Sequence, residues 1–393
     1  MVSLSPHCEP NLVPETAPPL ALYVHIPWCE RKCPYCDFNS HEGFDPDIEA
    51  PYVAALLADL DSQLAWVQGR PLTSIFIGGG TPSLFSDRAI GQLLEGIAQR
   101  LSLPAGTEVT MESNPGSAEA GRYQGYRVAG VNRLSIGVQT FSDPLLKQLG
   151  RVHDRRAAIS AIEFAQRAGF ERYNIDLMHG LPGQTEQMAG ADLELALAMH
   201  GGHLSWYQLT IEPNTVFYRD PPLLPIEDEL ATIQDSREWL IAAAGRTHYE
   251  VSAFSRPGEE SRHNLNYWQF GDYLAIGAGA HGKVSEHGCV SRFQRTRVPR
   301  NYLAAMADPQ QPERVRLDDS LLAGEFMLNA LRLTSGVPKR LFAERTGLDI
   351  DIIGRPLAAC ITQGLIDDDP TRLVTTPLGF RFLNEVVARF LAQ

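Results

Sequence analysis

The stretch Cys29-Glu30-Arg31-Lys32-Cys33-Pro34-Tyr35-Cys36 places three cysteines in one short loop. It follows an apolar run, Leu20-Ala21-Leu22-Tyr23-Val24-His25-Ile26, and a Pro27-Trp28 turn. The run reads as a buried strand, with the cysteines in the loop at its carboxyl end. Three thiols this close point to one metal centre, either zinc or an iron–sulfur cluster. A closed zinc site needs four ligands, and no neighbouring Cys or CxxC pair supplies a clean fourth. A cubane cluster on three cysteines leaves one iron open, which suits a site where a small molecule meets the metal. Inert buried thiols have no reason to repeat at such spacing.

Outward from this loop, short apolar runs alternate with amphipathic helical stretches. Leu72–Ile77, Glu108–Glu112, Arg133–Val138, Arg172–Leu177 and Leu204–Leu209 read as strands. Helical periodicity fills the gaps, as in Pro51-Tyr52-Val53-Ala54-Ala55-Leu56-Leu57. This is the pattern of βα units on a parallel sheet, with about six units. That is too few for a closed eight-stranded barrel and enough for an open, partial one. Tyr249–Phe254 reads as one further strand and residues 255–270 as a polar-aromatic loop. From about Val315 the character changes to three helices, a hairpin over 365–375 and a last helix, a winged-helix-like unit. The expected organisation is a flexible tail over 1–19, a barrel over 20–250, a connecting segment over 251–314 and a C-terminal domain over 315–393.

Composition narrows the function. The chain has 393 residues, is 44% hydrophobic and 21% charged, and carries a net charge of −13. Such an acidic surface disfavours general nucleic-acid binding, and no Lys/Arg-rich recognition helix stands out in the C-terminal unit. The basic stretch Arg292, Arg295, Arg297 and Arg300 is a local exception, read as solvated surface or as a contact for carboxylates or phosphates. The other cysteines, Cys8, Cys289 and Cys360, are scattered singly, which is no disulfide framework and favours a reducing, cytoplasmic setting. No apolar run is long enough to span a membrane, and the first residues have neither the basic nor the apolar region of a signal peptide.

In parallel α/β folds the ligand site lies outside the carboxyl ends of the strands. The loop of cysteines, Gly78-Gly79-Gly80-Thr81-Pro82, Glu112, Gln139 and Asp176 all fall there. Glycines let backbone groups approach a ligand closely. A carboxylate such as Glu112 suits an ammonium, and Asp176 in a buried strand would be costly without a partner. Arg151 and His153 could simply cap the next helix.

The CxxxCxxC motif, with aromatic Tyr35 before its last cysteine, resembles the signature of the radical S-adenosylmethionine (SAM) superfamily. Its wider context, Tyr23-Val24-His25-Ile26-Pro27-Trp28 and Cys36-Asp37-Phe38-Asn39-Ser40, resembles the oxygen-independent coproporphyrinogen III oxidase group and, within it, the HemW-type haem-chaperone branch. The resemblance runs from about Leu20 to the C-terminus. It implies a partial (β/α)6 TIM-like barrel plus a smaller helical, winged-helix-like C-terminal domain. It implies a [4Fe–4S] cluster on Cys29, Cys33 and Cys36. It also implies SAM at Tyr23, Tyr35, Gly79, Gly80, Thr81, Glu112, Gln139, Arg151 and Asp176. An electron from the reduced cluster would split the sulfonium of SAM.

Two departures separate the branches. The oxidase branch carries a further Cys two residues after the third, where this sequence has Phe38. Only a short Pro-rich stretch precedes the first strand. Downstream, His263-Asn264-Leu265-Asn266-Tyr267-Trp268 resembles the HNxxYW motif of the chaperone branch, with His263 as a candidate haem ligand and His281 as a weaker rival. The resemblance implies haem as cargo, a haem-acceptor protein and an electron donor such as flavodoxin or ferredoxin. The alternatives are a coproporphyrinogen III dehydrogenase, or another radical SAM enzyme acting on porphyrin.

Overall fold

The computed structural model describes residues 17–116, 121–199, 201–286 and 288–391. Residues 1–16 of the expected tail, with His7 and Cys8, lie outside the described residues. Six strands come in chain order: β1 (Leu20–Ile26), β2 (Leu72–Gly79), β3 (Glu108–Ser113), β4 (Arg133–Gln139), β5 (Arg172–His179) and β6 (His203–Gln208). Each pairs in parallel with the next, as in Leu22↔Ile75 and Val24↔Ile77. Their apolar residues are buried on both faces, as parallel strands require. The helices between them start at side-chain caps. Ser86 accepts from the Ala89 N–H, Asp154 from Ala157 and Thr185 from Met188, each worth about 1 kcal/mol. The partial parallel barrel read from the sequence is the fold observed.

The sheet extends past both edges. Tyr249–Phe254 is not one strand but a hairpin of β7 (Thr247–Glu250) and β8 (Ala253–Ser255), with β8 antiparallel to β6. At the other edge β9 (Asp272–Ile276) runs parallel to β1. The antiparallel strands β10 (His281–Glu286), β11 (Cys289–Gln294) and β12 (Arg314–Arg316) follow, giving the order β12-β11-β10-β9-β1-β2-β3-β4-β5-β6-β8-β7. The stretch 251–314 therefore contributes strands to the same sheet. The polar-aromatic segment read as a loop contains the helix Arg262–Trp268, capped by Ser261 through the Asn264 N–H. Among the basic stretch, Arg295 is buried against Asp59, and Arg292 pairs with Glu325 and Tyr273. Those two arginines hold the fold together rather than facing a ligand alone.

The C-terminal unit packs its own core of Phe326, Phe342, Cys360, Leu373 and Val386 against Tyr249, Phe270 and Val290 of the sheet. Its helices Asp319–Ala330, Arg340–Thr346 and Gly354–Thr362 precede a small antiparallel pair, Val337↔Leu373. The final helix expected from Pro377 breaks at Phe382 into two short pieces. Among the described residues, no helix is long and apolar enough to cross a membrane.

Candidate cluster and ligand site

Because β1 to β6 run parallel, their carboxyl ends open on one side, and the cysteine loop closes over that side. The loop is pinned where it leaves and returns. The Cys29 N–H donates to His41 O (2.9 Å) and the His41 N–H to Pro27 O (2.7 Å). Trp28 anchors it from below, buried against Tyr52 and Phe85. The sulfurs of Cys29, Cys33 and Cys36 are unbridged, half-buried and line one cavity of ≈ 290 Å³. Burial pushes the Cys29 and Cys36 thiols up. Among the described residues, no three Cys, His, Asp or Glu side chains gather tightly enough to hold a single metal ion. A cubane takes one sulfur at each of three separate irons, so it does not need that tight a set.

The same cavity is lined by Tyr35, Gly79, Gly80, Thr81, Glu112, Gln139, Arg151 and Asp176. The structure thus brings together every residue expected at the SAM site except Tyr23. The triple glycine has a reason the sequence did not show. A Cβ on Gly79, at φ +114°, would come 2.5 Å from the His25 ring, and one on Gly80 would come 2.5 Å from Trp28 O. The chain's own segments need the space first. The Gly79 N–H in turn donates to Glu112 Oε2 (3.0 Å). Gln139 ends β4 at φ +68°, a left-handed conformation unusual for a non-glycine residue. Its side chain is held there by the Tyr207 hydroxyl (2.8 Å).

Charge in this cavity is unbalanced in a telling way. Burial, and then the charge of Asp176, push the Glu112 carboxyl up to about 7. Asp176 is also raised by burial, although Ser135 (2.7 Å) and Asn174 (2.7 Å) donate to it. Neither carboxylate has an ion pair among the described residues. Arg151 donates to Asn114 Oδ1 (2.6 Å) and Gly137 O (2.8 Å) and reaches Cys33 Sγ at 3.6 Å, while its Nε is buried without a partner. Two acids wanting a cation face a cysteine loop backed by a guanidinium. The residues fit a cationic ligand with an amino group beside an anionic cluster.

Tyr23 lies elsewhere. With Phe76, Tyr267, Trp268, Phe270 and Tyr273 it walls a second cavity of ≈ 680 Å³, whose rim carries His281, Arg292 and Arg297. The two cavities meet at Phe38, Gly79 and Glu112, which line both. Phe38, in place of the oxidase branch's extra cysteine, stands at the junction with 59% of its surface exposed.

His263 lines neither of these cavities but a smaller one of ≈ 180 Å³, which shares Phe76 and Glu112 with the aromatic cavity and Glu112 and Asp176 with the cysteine cavity, and its ring is already engaged by the protein. Its ring stacks on Phe76 (4.2 Å, 15°), and its Nδ1 meets Ser261 Oγ (2.9 Å) and Glu108 Oε1 (3.4 Å). Burial holds it below the usual imidazole range. The helix it opens is docked through Glu108, which accepts from the Arg262 and His263 N–H groups (2.8 and 3.3 Å). The contribution of this helix to the large cavity comes from its other end, Tyr267 and Trp268. Among residues missed from the sequence, Tyr207 had a signal in the inward alternation of Ser205 and Tyr207 on β6. Asn39 had none.

Residues 23–196 match the Radical SAM superfamily and residues 321–382 the HemN C-terminal domain. The chain is 47% identical over 377 residues to the heme chaperone HemW of Escherichia coli (strain K12), covering 96% of this chain and 99% of that one. It is 35% identical to the heme chaperone HemW of Bacillus subtilis (strain 168), covering 94% and 99%. It is also 34% identical to the mitochondrial radical S-adenosyl methionine domain-containing protein 1 of Mus musculus, covering 95% and 87%. The solved structure of coproporphyrinogen III oxidase (HemN) from Escherichia coli shares the fold, with a TM-score of 0.80 at 21% identity over 95% of this chain and 90% of that one. The chain belongs to the radical SAM superfamily and, within it, to the HemW family.

Proposed function

We propose that this protein is a haem chaperone built on a radical SAM scaffold. It binds haem beside a [4Fe–4S] cluster and SAM, and hands the haem to an acceptor protein in the cytoplasm. The observation that carries this reading is the pair of adjoining cavities. One has three thiols and two acids lacking cations, and the other has aromatic walls and a cationic rim. Cys29, Cys33 and Cys36 would hold the cluster, and Glu112 and Asp176 would meet the positive charge of SAM. When bound, cluster and SAM supply one-electron chemistry, fed by a donor such as flavodoxin or ferredoxin. The side chains have narrower tasks. Arg151 offsets negative charge at Cys33, Gln139 and Tyr207 fix the far wall, and Trp28 holds the loop shut against water.

The second reading is a coproporphyrinogen III dehydrogenase. Phe38 weighs against it, because an apolar ring fills the position where that branch carries a cysteine. The test is anaerobic reconstitution with iron and sulfide, then haem titration with and without SAM, followed by transfer to an apo-haem protein. The chaperone reading expects one haem per chain, transfer to the acceptor, and no turnover of coproporphyrinogen. Decarboxylated product that disappears when all three cysteines are changed to Ala would overturn it.

A further inference from the structure

We infer that the flat cargo sits in the aromatic cavity with His281 as its axial imidazole and Arg297 as the partner of one of its carboxylates. This rests on the haem-binding reading above.

The argument is one of elimination among the groups that line the ≈ 680 Å³ cavity. That size lies in the range of small-molecule sites. Its histidines are His25 and His281. His25 has both ring nitrogens engaged, with the Tyr23 hydroxyl (2.8 Å) and Asn39 O (2.9 Å). The His281 side chain makes no hydrogen bond or ion pair among the described residues, and it is exposed to solvent at the start of β10. The cations divide the same way. Lys283 is buried against Asp272 Oδ1 (3.1 Å) and Phe270 O (3.2 Å), and Arg292 is held by Glu325 and by the Tyr273 hydroxyl (2.6 Å). The Arg297 side chain has no such partner among the described residues and is exposed.

The backbone brings these two free groups together. His281 faces Gln294 across the β10–β11 ladder, the Arg295 N–H donates to Ala280 O (2.8 Å), and the Gly279 N–H donates to Thr296 O (2.9 Å). One free imidazole and one free guanidinium therefore rim a slot walled by Tyr267, Trp268 and Tyr273. That combination suits a flat, apolar, iron-bearing macrocycle with carboxylate arms. Exposure of the imidazole also leaves the iron within reach of a receiving protein.

The test uses the reconstituted full chain, titrated with ferric haem and, separately, with metal-free protoporphyrin. His281→Ala is expected to shift the Soret band and weaken haem roughly tenfold or more, to leave protoporphyrin unaffected, and to regain the wild-type band when imidazole is added. Arg297→Glu is expected to weaken both ligands about tenfold without moving the Soret band, as loss of a charge-assisted hydrogen bond should. His263→Ala should leave the band in place. An unshifted band in His281→Ala, or a shift in His263→Ala instead, overturns the assignment. Wild-type protein that binds no haem would overturn the chaperone reading itself, a distinguishable failure. His281 and Arg297 are exposed while His263 is buried, and thermal unfolding of all three variants checks that the fold is kept.

Discussion

Glu108 and Glu112 stand four residues apart on β3 and so on the same face, yet the fold treats them in opposite ways. Burial would raise Glu108, but a hydrogen bond from His263 and the charges of Arg133 and Arg172 outweigh it and hold the carboxyl at about 2. Burial lowers His263 itself, while its hydrogen bond to Glu108 and the Glu108 charge act against that shift. Glu112, at the other end of the strand, has only the Gly79 N–H against burial and the charge of Asp176, and sits at about 7. At the strand's start the carboxylate is paired with Arg133, Arg172 and His263, while at its end neither Glu112 nor Asp176 has an ion pair among the described residues.

The comparison breaks most visibly at Glu108. Glu108→Gln removes the partner of the buried Arg133 and the half-buried Arg172 and is expected to cost about 3–5 kcal/mol at pH 7. Since the folded value lies below the ordinary one, this stabilisation is present above pH 4.5 and fades as pH falls toward 2. Denaturant unfolding at pH 7 and pH 3 should therefore show the gap between wild type and variant narrowing. A variant as stable as wild type at pH 7 would remove the contrast. Glu112→Gln should act in the opposite direction. A carboxyl raised to about 7 costs stability as pH climbs past 4.5 and through 7. The variant should gain about 3 kcal/mol at pH 8 and nothing at pH 4, read by thermal unfolding. It should also bind SAM more weakly, and wild-type SAM affinity should rise between pH 6 and pH 8 as Glu112 ionises. Calorimetry at both pH values checks this, and a flat profile would show that Glu112 meets no cation.

A smaller effect comes from Gly79→Ala, which strains the backbone at φ +114° and presses on His25. It is expected to cost about 1–2 kcal/mol and to weaken SAM together with the lost Glu112 contact. Smallest is Ser135→Ala, which removes one donor to Asp176, worth about 1 kcal/mol. Its predicted signature is a rise in the Asp176 titration point, measurable by carboxyl NMR.

The parts of the molecule legible in the sequence are those whose signals are local. The βα alternation gave the parallel strands, and residues at their carboxyl ends did converge with Cys29, Cys33 and Cys36. What escaped was set by distant partners. The contact of His263 with Glu108 joins residues 155 apart, which no local pattern reveals. The helix that His263 opens has only seven residues, too few to display a helical period. The β7–β8 hairpin turns at Val251-Ser252, which carries no Gly, Pro or Asn to announce a turn. Tyr23, which the resemblance assigns to SAM, lines the adjoining cavity together with Glu112.

Asn39 joins these regions. It lies just beyond Cys36, its carbonyl meets His25, and its amide donates to Ala278 O (2.9 Å) and Arg297 O (2.8 Å). A rearrangement of the cysteine loop therefore does mechanical work on the rim of the second cavity, and a ligand seated there does work on the loop. Thermodynamic linkage makes this exchange symmetric. Whatever factor an occupied loop imposes on cargo affinity, the cargo imposes on the loop's own ligands. On the haem-chaperone reading proposed above, release of cargo would then be conditional on the redox and ligand history of the loop, as in a gated carrier.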